Sequence, residues 1–443
     1  METAEKYSWL NFVPFSSFDL WDTKRYTSKK IVSKYPIEKL GNCISEESTK
    51  YKLFDEPETE FGILGVNNKE GIFDAYLEKG KEINQAYKKM EVEWLAYNPY
   101  RINVGSIGIR KSKHKFEYIS PAYVVFSCKE NLLPEYLFLL FKTKTFNKVI
   151  NESTTGSVRQ NLTFEILESL EIPLPSLSEQ QKIVDAYYKK ISEAKELQQK
   201  AETLETDIER YLFEELGIIK NELNNRNFGL KIIEYRYLDR WDGVAKLAFN
   251  SKYPIAKASE LIIKISTGTT PPTNVREYFE GNIDFYAPSD LGKEMYLYNA
   301  ERKISEKAIA DKKARVFEQN TLLFVGIGST VGKVGIVKND FATSNQQITG
   351  LNFNDKVIIE YLFYYFNYFI EETTKEKTQA TIPIVNQDKI LNISIPLPPL
   401  EKQKEIATHI SKIKKEIERL RNEAGSLKER AEREFEETVF KTQ

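Results

Sequence analysis

The turn Gly326-Ile327-Gly328-Ser329-Thr330-Val331-Gly332-Lys333 holds residue types that could bind phosphate. Glycines free backbone N–H groups to cradle an anion, and a lysine stands beside them. The spacing argues otherwise. Gly326 to Gly332 is one residue longer than a nucleotide-binding loop, and Val334 stands where a Ser or Thr would hold magnesium. The matching earlier turn, Gly105-Ser106-Ile107-Gly108, has no Lys after its second glycine. A tight turn between strands is the better reading. His114 lies in a Lys-rich turn and His409 in a helical pattern, neither with Cys or carboxylate partners at ligand spacing, so no metal site is expected. No Ser-His-Asp arrangement can be assembled, and no carboxylate pair stands out.

The segment Asn98-Pro99-Tyr100 resembles part of the Asn-Pro-Pro-Tyr motif of adenine methyltransferases. It lacks the second proline, and no strand with a Gly-rich turn suited to S-adenosylmethionine precedes it. The chain therefore reads as non-catalytic. The positive signals are basic and amide-rich turns. In the first half they supply Lys24, Arg25, Lys29 and Lys30, then Arg110, Lys111 and Lys113, then Arg159 and Gln160. In the second half they supply Thr269, Thr270, Asn274 and Arg276, then Lys333, then Asn345 and Gln346. Lys and Arg can grip phosphates or read guanine, and Asn and Gln can pair bidentately with adenine. From composition alone, ordinary solvated turns are the favoured reading of such loops.

These loops must be held by something, and the chain is a duplication. Ile-Pro-Leu-Pro occurs at 172–175 and again at 395–398, each time followed by a Gln-Lys-rich entry into a long helical pattern. Glu135-Tyr136-Leu137-Phe138 matches Glu360-Tyr361-Leu362-Phe363, and Lys34-Tyr35-Pro36-Ile37 matches Lys252-Tyr253-Pro254-Ile255. The offset is too long for a solenoid.

After each Pro-x-Pro, apolar residues recur in steps of three and four. Ile183, Tyr187, Leu197, Leu204 and Ile208 mark the first seam, and Ile406, Ile410, Ile413, Ile417, Leu420 and Leu427 the second. Such a narrow seam is that of a coiled coil. The spacing predicts that the two helices pair with each other, antiparallel; coiled coils with other chains are the alternative. Ser178 with Gln181 is expected to form a capping box, and Gly217 to stop the first helix. Short β-type runs at Tyr123–Phe126, Leu322–Val325 and Gly335–Val337, with aromatic helical stretches at 134–150 and 358–371, predict a mixed α/β domain before each helix. The fold class is thus α+β. Its segments are 1–171 (first domain), 172–217 (central helix), 218–394 (second domain) and 395–443 (C-terminal helix).

Composition agrees. Apolar residues make up 41% of the 443 residues, enough for more than one core, and charged residues 29%, as long exposed helices require. A net charge of −1 argues against a coat of non-specific nucleic-acid binding. The cysteines are Cys43 and Cys128, which gives no disulfide framework, and there is no apolar run near 20 residues. A cytoplasmic protein without a membrane partner is expected.

The paired Ile-Pro-Leu-Pro…Gln-x-x-Ile entries at 172–183 and 395–406 resemble the specificity subunit of type I restriction-modification systems, end to end. Supporting features are Asn98–Gly108, Ser120–Val125, Gly268-Thr269-Thr270-Pro271, Gly328–Lys333 and Asn345-Gln346. The resemblance implies two target recognition domains, each reading one half of a split site in double-stranded DNA. It implies helices that act as a ruler and dock two adenine methyltransferase subunits, with a restriction/translocase subunit joining them. S-adenosylmethionine, ATP and magnesium would belong to those partners, leaving this chain with no cofactor. The specificity chain of a type IIB-like enzyme, which has a fused nuclease-methyltransferase as partner, shares these features, and a coiled-coil adaptor that never touches DNA shares the helices.

Overall fold

The structure, a computed structural model, describes residues 31–102, 105–153, 161–218, 251–292, 294–374 and 383–440. Two compact units emerge, 1–198 with 422–443, and 199–421.

In unit 1 the strands are β1 (Ile37–Lys39), β2 (Ile44–Glu46), β3 (Lys50–Tyr51), β4 (Glu60–Asn67), β5 (Gly71–Lys79), β6 (Tyr87–Lys89), β7 (Leu95–Tyr97), β8 (Ile107–Ile109), β9 (Tyr118–Ile119), β10 (Val124–Cys128) and β11 (Glu171–Pro173). They form sheets ordered β2-β10-β7-β8 and β3-β6-β9-β4-β5, with β1 paired to β11. The β4–β5 hairpin turns where it does because Asn67 Oδ1 accepts from the N–H groups of Lys69 and Glu70, and because Gly71 takes φ +73°. The aromatic stretch predicted at 134–150 is two helices, α1 (Pro134–Lys142) and α2 (Lys144–Ser153). The Thr143 hydroxyl, bonded to the Leu140 carbonyl and accepting from Phe146 N, makes the corner. Tyr97, Phe126, Tyr136, Phe141 and Phe146 fill the core behind them. A short helix, α3 (Phe164–Ser169), is capped by Thr163.

Unit 2 repeats the plan with different sheets. Its strands are β12 (Ile255–Lys257), β13 (Ile262–Thr267), β14 (Ile283–Tyr286), β15 (Tyr296–Leu297), β16 (Arg302–Ile304), β17 (Val316–Glu318), β18 (Leu322–Val325), β19 (Val334–Val337), β20 (Phe341–Ser344), β21 (Ile348–Phe353) and β22 (Ser394–Pro396). Their orders are β13-β21-β18-β19-β15 and β16-β14-β20-β17, with β12 paired to β22. β18 is apolar at every position because it runs inside the sheet between β21 and β19, with all four residues buried. The second aromatic stretch is also broken, into Ile359–Tyr368 and Ile370–Thr373.

The long helices run Leu177–Leu216 and Leu400–Val439. Each belongs to both units. In unit 1, Ile183, Val184 and Ala194 are buried on one helix and Ala431, Phe435 and Val439 on the other. Tyr187 stacks edge-on to Phe435 at 6.1 Å, and Lys190 pairs with Glu434 at 2.9 Å. In unit 2, Ala201, Ile208 and Leu212 lie buried opposite Ile406, Ile410, Ile417 and Leu420. There Tyr211 stacks on His409 at 4.3 Å, and Lys402 meets Glu215 at 2.8 Å. The start of each helix therefore lies against the end of the other, which is the antiparallel pairing expected from the seam. Tyr187, Leu197, Leu204, Ile413 and Leu427 are half-buried at its margins.

One expected cap is absent. Helix formation starts at Leu177, with Glu179 and Gln180 N–H on the Ser176 carbonyl, so Ser178 lies inside the first turn and Gln181 bonds Asp185 instead. Gly217 does end the helix, at φ +62°, with Ile218 N–H on the Phe213 carbonyl.

Candidate DNA interface and helix entry

In unit 2 the strand ends bring four of the sequence-named residues together. β13 ends at Thr267 and β20 at Ser344, and the loops leaving them cross. Gly268 N–H bonds the Ile348 carbonyl at 2.9 Å and Thr269 N–H the Ser344 carbonyl at 3.0 Å. A β-carbon at Gly268 would stand 2.3 Å from the Asn345 carbonyl oxygen, so only glycine allows this crossing. Thr270 donates its hydroxyl to Gln346 Oε1. Asn345 Nδ2 donates to Gln347 Oε1 at 3.0 Å, and Gln347 N–H returns to Asn345 Oδ1 at 3.0 Å. Gln387 reaches the same spot, donating to the Thr267 hydroxyl at 2.8 Å. Thr269 and Gln346 are exposed, and Thr270 and Asn345 half-exposed. The result is a platform of oriented amides and hydroxyls, the chemistry that can meet base edges. Gln347 belongs to the amide-rich run Ser344-Asn345-Gln346-Gln347, whereas nothing in the sequence marks Gln387.

The turn at 326–333 lies next to this platform. Gly326 N–H bonds the Gln347 carbonyl, and Val325 N–H bonds the Lys333 carbonyl at 2.9 Å. Gly328 and Gly332 both have positive φ, at +112° and +94°. The segment is a turn from β18 to β19, so it leads into a strand and not into the helix that follows a phosphate loop. Lys333 is half-buried and lies over Gly292. Asn274 and Arg276 are exposed further along the loop that begins at Gly268.

Unit 1 differs. Lys24, Arg25, Lys29, Lys30, Arg159 and Gln160 lie outside the described residues. Arg110 is turned inward: 8% exposed, it donates to the Phe116 carbonyl at 2.9 Å and the Met90 carbonyl at 3.0 Å. The sheet needs those carbonyls satisfied, and a guanidinium reaches both. Lys111 is paired with Glu93 at 3.0 Å and with Glu135, which raise its pKa despite the lowering effect of burial. Neither presents a free charge. Lys113 is exposed, with no ion-pair partner among the described residues. His114 Nδ1 accepts from Lys111 N–H at 3.0 Å, and burial, with Lys113 beside it, holds its pKa down. Asn98 Oδ1 accepts from Tyr100 N–H, so its side chain serves its own turn and leaves Tyr100 exposed.

Where each domain meets its long helix, the two units are alike to the atom. Leu174 N–H bonds the Pro36 carbonyl, and Leu397 N–H the Pro254 carbonyl, both at 2.8 Å. Ser33 donates to the Val439 carbonyl at 2.5 Å, and Ser251 to the Leu216 carbonyl at 2.7 Å. In each unit, therefore, the segment entering the domain caps the far end of the helix that pairs with that domain's own.

Among the described residues no cluster of His, Cys, Asp and Glu is placed to hold a metal, and no helix is long and apolar enough to cross a membrane. The family described as "Type I restriction modification DNA specificity domain" matches the chain twice, over residues 50–205 and 257–424. The specificity subunit of type I restriction enzyme MjaIX from Methanocaldococcus jannaschii is 32% identical over 179 residues, 39% of this chain and 41% of that one. The EcoR124I/EcoR124II specificity subunit from Escherichia coli is 23% identical over 33% of this chain and 37% of its own. The matched part thus spans less than half of these two relatives. A chain solved in a study of assembly and conformational transition in the type I R-M system superposes with TM-score 0.61 over 93% of this chain and 98% of its own, at 18% identity, which speaks to fold.

Proposed function

Because this chain belongs to the type I restriction-modification DNA specificity family, with two copies of the family's domain, we propose that it is the DNA-reading subunit of such a complex. Each unit reads one half of a split target, and the paired helices hold the halves at a set separation. The observation that carries this is the repetition: two different sheet assemblies stand on one identical helix-entry framework. A framework kept while the sheets and loops change suits a protein that must read two different half-sites at one geometry.

In unit 2 the platform of Thr269, Thr270, Asn345 and Gln346 is the base-reading candidate, with Arg276 and Lys333 supplying charge toward phosphate. In unit 1 Lys113 and the exposed Tyr100 stand in the corresponding role, and Arg110 and Lys111 hold the fold. Methyl transfer and cleavage, with S-adenosylmethionine, ATP and magnesium, belong to methyltransferase and restriction partners docked on the helices. The chain itself is a cytoplasmic, non-catalytic reader.

The test is a methylome. The chain is expressed with its cognate adenine methyltransferase subunit in a methylation-free host, and modified adenines are mapped. Two short specific halves around a fixed unspecific gap are expected. No new methylation, from a methyltransferase that is active with another specificity chain, would defeat the reading.

A further inference from the structure

Gln180 and Gln403 are fully buried, in the first turn of each long helix. In unit 1, Gln180 Oε1 accepts from Leu133 N–H at 2.8 Å, while Nε2 donates to the Asn131 and Pro175 carbonyls, each at 2.9 Å. In unit 2, Gln403 Oε1 accepts from Ile358 N–H at 2.8 Å, and Nε2 donates to the Lys356 carbonyl at 3.0 Å and the Pro398 carbonyl at 2.8 Å. Leu133 and Ile358 are the caps of their domains' aromatic helices, and neither side chain can cap. A tyrosine in the same helix completes each lock: Tyr136 donates to the Pro173 carbonyl at 2.9 Å, and Tyr361 to the Pro396 carbonyl at 2.8 Å. One amide thus joins three segments: the loop before the domain helix, the Pro-x-Pro approach and the long helix.

A buried amide is a weak source of stability. Its hydrogen bonds replace bonds to water, and an apolar side chain of the same size carries no desolvation cost. What it supplies is direction. Three bonds from one planar group admit a single orientation of the domain on the helix, where apolar contact would tolerate several. The same lock, with the same partners, recurs under two sheets of different strand order. The feature it preserves is therefore the pose, not the contents, of the domain above it.

We propose that Gln180 and Gln403 are positioning residues for DNA reading, each fixing the pose of its recognition domain on its long helix and so the register at which that half-site is met. This rests on the function proposed above.

The experiment uses the chain with its methyltransferase in a methylation-free host, as wild type and as Gln180→Met and Gln403→Met. Methionine keeps the length and removes all three bonds. With the lock gone, both halves should keep their bases while the gap broadens. Sites one base pair longer or shorter than the wild-type gap should be methylated at least tenfold above the wild-type level. A variant with unchanged helical content that methylates only the wild-type gap, at whatever rate, overturns the proposal, as does a change in the half-site bases. Should the methionine variants fail to accumulate, Tyr136→Phe and Tyr361→Phe remove one bond of the same locks. A smaller broadening is then expected, and a single unbroadened gap overturns the idea. A wild-type complex that marks no split site fails earlier and takes the proposed function with it.

Discussion

Inserting one heptad into each long helix tests whether the helices set the half-site separation. The chain passes from one unit to the other between residues 198 and 199 on the first helix and between 421 and 422 on the second, so seven residues are added at each point. Seven keeps the buried seam in phase, since an α-helix drifts only about 20° per heptad. Both insertions are required because the pairing is antiparallel. An insertion in one helix alone leaves seven residues without a facing seam, and pulls either Ile183–Ala194 or Ile406–Leu420 out of register. Seven residues at 1.5 Å each lengthen the pair by about 10 Å. Base pairs rise about 3.4 Å each, so the unspecific gap should grow by up to about three base pairs. The readout is the methylome of the complex, in which the two halves should keep their sequences. A double-insertion variant that folds, methylates and retains the wild-type gap would refute the ruler. Activity with a lengthened gap from the single insertion would refute the paired geometry.

Ile410 is fully buried at the helix seam of unit 2, and Ile410→Ala should destabilise that unit by about 3 kcal/mol. Urea unfolding should show this against the exposed control Lys412→Ala, which stays within about 0.5 kcal/mol; equal midpoints would count against the seam. Glu434 is held at a pKa of about 2, against a usual 4.5, by hydrogen bonds from Lys190 and Arg430. In Glu205 burial raises the pKa, but bonds from Lys414 and Tyr368 and the charge of Arg421 outweigh it and lower the value. Both carboxylates have depressed folded values, so their stabilisation is present above about pH 4.5 and is lost as pH falls through the folded value, toward 2 for Glu434. Stability measured across that window should fall in the wild type and fall less in Glu434→Gln; parallel curves would remove the ion pair from the account. Gly268→Ala should push the 268–270 loop off Ser344 and Asn345, weakening reading of one half-site while the other is read normally, as the methylome would show; equal loss at both halves would deny unit 2 its separate role. Arg276→Ala should weaken binding to all sequences alike and reduce the salt slope by about one, and an unchanged slope in titrations would take Arg276 off the phosphates.

The duplication, the two seams and the strand character of Leu322–Val325 are legible in the sequence, whereas the pairing of the seams with each other rather than with another chain is a finding of the structure. The legible features are local or periodic properties: Ile-Pro-Leu-Pro twice, apolar steps of three and four, a short apolar run between turns. Family resemblance was legible for the same reason, since the helix entries are contiguous motifs. Which charges remain free was decided only by tertiary structure. Arg110, Lys111 and Lys113 are alike as a basic string, yet the first bridges two carbonyls, the second meets two carboxylates and only the third stands exposed. Their partners come from residues as distant as Met90 and Glu135, so no window around 110–113 could sort them. The platform of Thr270, Asn345 and Gln346 likewise exists only because β13 and β20 end at one place. Gln180 and Gln403 make the point most sharply. Among many polar residues at a helix entry, a glutamine looks solvent-facing. It is buried because three backbone groups from separate segments converge on it, and that convergence is a property of the folded chain alone.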